Sequence, residues 1–433
     1  VPKCRALTHL LPNSAIDRPG NTIPKTRIYA NTGYRKMNAL SPIETESAVV
    51  APTVTLPRID LLDALKKLAL VIPRANRKDH PIYHHAFIRS RPFGLELMAT
   101  SPDNAIKCFV ECRIDAPVSF SLHCKSLLKL IKAAKCPSVT FTDTGPDITM
   151  QLDAMKVQLV KGPDRTEYAD DLHHFALKNH EFTRFEIPAY DLKTALDRVA
   201  VSMSDDESRY YLRGVCFANE SSESQPSRLS LVSTDGHRLC RDTMPTDLEG
   251  SLIENNAILN AHSIKTLLKL INKKNCNGTV RFLQMRHRMH IELDDEFVLS
   301  AYVVDGSYPD YQRVIPSETG QAVIFNRQEI LNLAKHLNQF QVERDGKVTM
   351  EITADRTTFS YRGAEISIGC QWNGGFDFAV GYNLQYLIDA LSCFTCDSVT
   401  FHYGTEENAP LCPVLIRSPE LPSYTSVLMP MRL

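Results

Sequence analysis

No stretch of the chain is apolar for long enough to cross a bilayer. The first segment is broken too early, by Pro12, Asn13 and Pro19, to read as a secretory leader. A cytoplasmic protein is therefore expected. Cysteine is too sparse for a disulfide framework: 12 residues lie scattered over 433 positions and are expected to stay reduced. Excess charge of either sign is missing as well. The 49 Lys and Arg against 50 Asp and Glu leave a formal charge of -1, which excludes a uniformly basic nucleic-acid binder and leaves room for a local cationic surface. Phosphate-cradling glycine loops of the Walker or Rossmann kind are not found, so no cofactor is expected.

What is present begins with length. A chain of 433 residues exceeds one ordinary core and suggests about three domains. Its 43% hydrophobic and 23% charged residues are those of a soluble globular protein. Residues 1–54 stand apart, with several Pro and Asn, no sustained apolar period, and more cations (Lys3, Arg5, Arg18, Lys25, Arg27, Arg35, Lys36) than anions (Asp17, Glu44, Glu46). That is the composition of a disordered extension. Met37 falls just before the regular pattern, which raises the hypothesis that translation starts there; a native N-terminal mass including residues 1–36 would refute it.

From Ile59 onward the pattern repeats. Six amphipathic helices are expected, beginning near Ile59, Lys125, Tyr190, Ser263, Gln328 and Asn383, with strand-like stretches between them. The second, fourth and sixth end alike, in Cys136-Pro137-Ser138-Val139-Thr140-Phe141, Cys276-Asn277-Gly278-Thr279-Val280-Arg281-Phe282 and Cys396-Asp397-Ser398-Val399-Thr400-Phe401. A helix, a Cys, a turn and a strand recurring in this way mark one domain used three times. The expected domains are 55–181, 182–316 and 317–433, each an α+β unit of two helices packed on antiparallel sheet.

The lysines are placed with the same regularity. Lys125, Lys129, Lys132 and Lys135 share one helix face, opposite Leu127, Leu130, Ile131 and Ala134. Lys265, Lys269 and Lys273 repeat the pattern opposite Leu267, Leu270 and Ile271, and single cations add to it at Lys66, Lys67, Lys193, Arg198 and Lys335. One such face is ordinarily a solvated helix surface. Two at matching places in a near-neutral chain favour a directed surface that neutralises phosphates without reading bases. The sixth helix has no Lys or Arg, so the third repeat contributes least.

Four further strings carry a family resemblance. They are Arg209-Tyr210-Tyr211-Leu212-Arg213-Gly214-Val215-Cys216-Phe217, Leu231-Val232-Ser233-Thr234-Asp235-Gly236-His237-Arg238-Leu239, Val304-Asp305-Gly306-Ser307-Tyr308-Pro309-Asp310-Tyr311-Gln312-Arg313-Val314-Ile315-Pro316, and the closing Met429-Pro430-Met431-Arg432-Leu433. In this order and spacing they resemble the beta subunit of bacterial DNA polymerase III, the beta sliding clamp. The resemblance covers residues 180–433 well and the first repeat only by its helix layout.

It implies a non-catalytic processivity factor: a head-to-tail homodimer of three-domain protomers, closed into a ring around double-stranded DNA. A DNA polymerase and a clamp loader would dock on it through short linear motifs. Arg77, Arg209, Tyr210 and Tyr211 join the lysines as candidate DNA contacts. The implied peptide pocket uses Leu212, Thr234, Gly236, His237, Arg238, Leu239, Pro309, Arg313, Val314, Asn383, Tyr386, Val427, Met429, Pro430, Met431 and Leu433. Apolar and thioether side chains suit varied peptide anchors, while His237, Arg238, Arg313 and Asn383 could fix peptide polar groups. The implied dimer interface sets Val157 and Leu159 against a helix around Leu337 and Phe340. Arg213, Gln312 and Pro413 depart from the family pattern, and Arg77-Lys78-Asp79-His80-Pro81 stands where a glycine-rich loop is usual.

Other readings are less well supported by the residues. Asp235 and His237 could form an acid/base pair, but no nucleophile motif accompanies them, and i and i+2 on a strand share a face anyway. Cys393-Phe394-Thr395-Cys396 has zinc-knuckle spacing without a second pair, so buried reduced thiols are expected and no metal. A sequence-specific regulator would need a base-reading recognition helix, and lysine faces do not supply one. A divergent clamp serving repair or mobile-element replication is the nearer alternative.

Overall fold

The computed structural model describes residues 51–433 apart from 75–78, 165–181, 221–227, 247–251, 253–255, 273–274, 294–296, 319–320, 341–345 and 406–407. The expected extension up to residue 50, Arg77 and Lys273 lie outside the described residues. The first strand already begins at Thr53, with Val54 fully buried, so regular structure starts two residues before residue 55, the expected beginning of the first domain.

Three units with one element order follow each other. The first runs β1 (Thr53–Pro57), α1 (Arg58–Leu68), β2 (His85–Arg91), β3 (Gly94–Thr100), β4 (Asn104–Glu111), a short β5 (Arg113–Ile114), β6 (Ser119–His123), α2 (Cys124–Ala133), β7 (Ser138–Asp143), β8 (Asp147–Leu152) and β9 (Met155–Val160). The second runs β10 (Thr183–Pro188), α3 (Ala189–Val199), β11 (Gly214–Asn219), β12 (Arg228–Thr234), β13 (Arg238–Pro245), β14 (Asn256–Asn260), α4 (Ala261–Leu270), β15 (Thr279–Gln284), β16 (Arg288–Leu293) and β17 (Phe297–Tyr302). The third runs β18 (Ala322–Asn326), α5 (Arg327–Asn338), β19 (Lys347–Ile352), β20 (Arg356–Tyr361), β21 (Ala364–Gly369), a short β22 (Gln371–Trp372), β23 (Phe378–Asn383), α6 (Leu384–Cys393), β24 (Ser398–His402), β25 (Val414–Arg417) and β26 (Tyr424–Leu428).

Each unit thus makes two antiparallel ribbons with a helix pair packed on them. One ribbon is β1-β7-β8-β9, repeated as β10-β15-β16-β17 and β18-β24-β25-β26; the other is β6-β2-β3-β4, repeated as β14-β11-β12-β13 and β23-β19-β20-β21. The units share sheets. β17 pairs antiparallel with β4, and β26 pairs antiparallel with β13. These two junctions make residues 51–433 one compact unit. The last strand of the first unit, β9, which matches β17 and β26, and the strand β21 of the third unit, which matches β4 and β13, each remain at a sheet edge.

Local chemistry explains the helices. The second helix of each unit is N-capped at the same place, by His123, Asn260 and Asn383, whose side chains accept from Ser126 N, Ser263 N, and Gln385 N and Tyr386 N respectively. In α2, Leu127 and Ile131 are buried as their spacing predicts, but Leu130 is half-buried and Ala134 already terminates the helix in an extended conformation. Gly214 is required by close approach: a Cβ there would sit 2.1 Å from the Leu259 carbonyl oxygen on β14. The described cysteines are all free thiols. Among the described residues no helix is long and apolar enough to cross a membrane.

Candidate nucleic-acid face and peptide groove

The cationic face survives in part. Lys129 and Lys132 on α2, Lys265 and Lys269 on α4, and Lys66 on α1 are exposed. Counting from the caps, Lys132 and Lys269 occupy equivalent positions, and the third unit has Ser392 there. Other expected contacts are engaged within the fold. Lys125 donates to the Pro73 carbonyl at 2.6 Å, Lys67 pairs with Asp63 at 2.9 Å, and Lys193 with Asp197 at 3.0 Å. Arg198 must be withdrawn from the DNA-facing set: its guanidinium lies 2.8 Å from the buried Asp242 carboxylate and faces the Tyr424 ring, so it compensates a buried charge.

Tyr210 is exposed and its ring meets half-buried Tyr211 edge-on, with centroids 5.7 Å apart. Arg209 beside them is held by Asp206 at 2.9 Å. Hydrogen bonds from Ser208 and Arg209 bring the Asp206 carboxyl down to about 2.

The second candidate site lies where β13 meets β26. Leu239 and Val427 are direct ladder partners, and with Leu212, Val232, Cys216, Leu415, Tyr308 and Tyr311 they form a small core separate from the main one. Leu212, Leu239 and Val427 are buried and do not reach the surface. Above it the Thr234–Leu239 turn is braced from within. Asp235 Oδ1 accepts from His237 N and Arg238 N, Thr234 Oγ1 donates to Arg238 O, and Gly236 takes φ +90°. Asp235 and His237 are therefore turn residues and not neighbours on a strand face, and the Asp235 carboxylate is occupied by the turn.

Arg238 ties the turn to α6. It bonds Asp235 at 3.0 Å and Asp389 of α6 at 2.5 Å, and it lies 4.2 Å from the Tyr386 ring centroid. Burial works against its charge, but the two carboxylates outweigh that and raise its pKa. Tyr386 also lies roughly parallel to exposed His237, with ring centroids 6.4 Å apart. Asn383 is buried, and its Oδ1 is taken up in capping α6 by the amides of Gln385 and Tyr386. Sequence reasoning missed Asp389, although its place three residues after Tyr386 on one helix face was the available signal.

The C-terminal strand continues along the site. Met429 N donates to His237 O at 2.9 Å, Met431 N to Gly381 O at 2.8 Å, and Lys347 Nζ to Arg432 O at 3.0 Å. Val314, Met429 and Leu433 expose apolar surface. Pro309 and Arg313 are exposed too, with Arg313 paired to Asp310 at 2.8 Å, and Pro430 and Met431 are half-buried.

At the expected dimer interface Phe340 is exposed, Val157 and Leu159 are half-buried, and Leu337 is 0% exposed. Leu337 belongs to the protomer's own core and cannot meet a partner. Cys393 and Cys396 are buried, donating to the Arg198 and Ser398 carbonyls. Among the described residues no group of three or more His, Cys, Asp or Glu is placed to hold a metal.

This architecture is that of a sliding clamp. The crystal structure of the Caulobacter crescentus beta sliding clamp superposes with a TM-score of 0.79 at 23% identity, covering 89% of this chain and all of that one. The sliding clamp of Bartonella birtlesii gives 0.78 at 23% identity, over 88% of this chain. In sequence, the beta sliding clamp of Caulobacter vibrioides is 24% identical over 388 residues, 88% of this chain and 99% of its own length. That of Salmonella typhimurium is 28% identical over 302 residues, 67% and 77% of the two chains. Residues 186–310 match the family model of the DNA polymerase III beta subunit central domain, and residues 312–432 that of its C-terminal domain. The chain belongs to the DNA polymerase III beta subunit family.

Proposed function

We infer that the chain is a DNA sliding clamp in which two copies close head to tail into a ring around duplex DNA, giving a polymerase processivity without catalysis of its own. The observation that carries this is the pair of matching junctions, β17 on β4 and β26 on β13, which leave β9 and β21 as the same two edges unmatched within one chain. A head-to-tail contact that repeats an existing rotation closes a ring when that rotation divides the circle. Lys66, Lys129, Lys132, Lys265 and Lys269 supply weak, sequence-independent phosphate attraction, which enclosure turns into retention without tight binding. The groove around Arg238, Tyr386 and Met429 takes short peptide motifs of the polymerase and clamp loader. The ring works in the cytoplasm, where the replicating DNA is.

Sedimentation equilibrium tests the reading directly. A species of twice the 48.7 kDa chain is expected, retained on closed circular DNA and lost when the circle is cut. A monomer, or binding indifferent to linearisation, would overturn it.

A further inference from the structure

Two junctions join the sheets of the chain, and the ladders fix which residues match between them. His85 opposite His123 and Gly214 opposite Asn260 align the ribbons, so that Met98 matches Val232 and Lys107 matches Arg241. Ala105 paired with Ser300 then matches Leu239 paired with Val427, and His290 beside Ser300 matches Leu415 beside Val427. These residues lie on the face turned away from the helices; on the other face Ile106, Leu299 and Ile291 belong to the main core. The chemistry of the two junctions is opposite. At the second, Leu239, Val427 and Leu415 are part of a small apolar core. At the first, the same places hold Ala105, Ser300 and His290, flanked by Lys107, Arg288 and Tyr302.

The first junction sets aromatic rings among cations. Arg288 Nη1 donates to Ser300 Oγ at 3.2 Å, and its guanidinium lies 4.0 Å from the centroid of the Tyr302 ring, which is 41% exposed. Arg286 and His287, in the turn just before Arg288, are exposed. Burial first, then Arg288 and Lys107, brings the His290 imidazole down to about 4, so a positive field is felt here even by a neutral neighbour. Acids on this face are answered within it: Glu96 bridges Arg89 and Arg91, and Glu292 lies 3.4 Å from Arg281. Phe109, also 41% exposed, stands on the same face, two residues beyond Lys107 along β4 and about 20 Å from Tyr302 at the ordinary rise of a strand.

We propose that this face of the first junction binds single-stranded DNA along the direction of β4 and β17, with bases stacked on Tyr302 and Phe109 and with Arg286, Arg288 and Lys107 facing the phosphates. Cations alone suit an acidic peptide equally well. Exposed rings set between them suit bases, each of which offers a π face whatever its identity. Arg288 holds one face of Tyr302 and a base takes the other. The strand so bound is read by charge and stacking, without selection of sequence.

Fluorescence anisotropy with a short labelled oligothymidylate at low ionic strength tests this. Tyr302→Ala should weaken binding about tenfold and leave its dependence on log salt unchanged, because a stacking surface is lost and no charge. Arg286→Glu with Arg288→Glu should weaken binding at least tenfold and make that dependence shallower. Tyr302→Phe should bind like the wild type. A measurement that needs no variant supports these: an abasic strand of the same length should bind the wild type about tenfold more weakly than thymidylate does. Retention on closed circular duplex should be the same for every variant, so failure here leaves the ring reading standing. Equal affinity of the wild type for abasic and thymidylate strands, or of the wild type and the arginine variant for thymidylate, overturns the inference. Tighter binding of polyglutamate than of the strand overturns it too and gives the face to an acidic peptide.

Discussion

At the scale of single residues, His123 is the unusual cap. The other two units use Asn260 and Asn383 at the matching position, which do not titrate. The His123 ring lies 5.5 Å from that of His85 and 6.4 Å from that of His84, with Lys125 and Lys129 on its own helix. Burial first, then the neighbouring His85, His84, Lys125 and Lys129, lowers its pKa below the ordinary 6.5. The unfolded chain takes up this proton near pH 6.5 and the folded chain only at lower pH. Folding stability is therefore fully present above that value and lost as pH falls below it. His123→Asn should flatten the loss of urea-midpoint stability between pH 7.5 and 5.5 without lowering stability at pH 7.5. An unchanged pH profile would show that the cap does not titrate in this range. Asp389→Asn removes a charged partner from half-buried Arg238 and should cost about 2 kcal/mol in urea unfolding while weakening peptide binding. The roles of both residues were hidden in the sequence, where a cap and an ion-pair partner become visible only once the turn and helix that contain them are placed.

At the scale of elements, Lys132→Glu with Lys269→Glu should weaken retention on circular DNA about tenfold and make the dependence on log salt shallower. The melting temperature should stay unchanged, because both side chains are exposed. Retention insensitive to this double change would remove the helices from the DNA path. The six helices and the threefold repeat were legible because apolar spacing in α2 and α4 and the recurring Cys-turn-strand strings are local signals. Arg198, Lys125 and Leu337 were misread for one reason. Each is claimed by a partner distant in sequence: Asp242, the Pro73 carbonyl, and the core beneath α5. The continuation of sheets from unit to unit was equally illegible, since strand edges carry no mark of the strand that will join them.

For the whole molecule, removing Met429–Leu433 takes away the strand end that bonds His237, Gly381 and Lys347 but leaves the β13–β26 ladder intact. The truncated chain should still dimerise and stay on circular DNA, and should bind polymerase peptides at least tenfold more weakly in fluorescence anisotropy. Equal affinity would place the groove elsewhere. The third unit, whose α6 carries no Lys or Arg, has a mechanical consequence for the assembled ring. Two-fold repetition of two lysine-rich units and one lysine-poor unit gives two gripping arcs facing each other across the hole, separated by more slippery ones. A duplex threaded through it is steadied from two opposite sides at once, and turning about its own axis carries each phosphate strand from grip to glide and back twice per revolution.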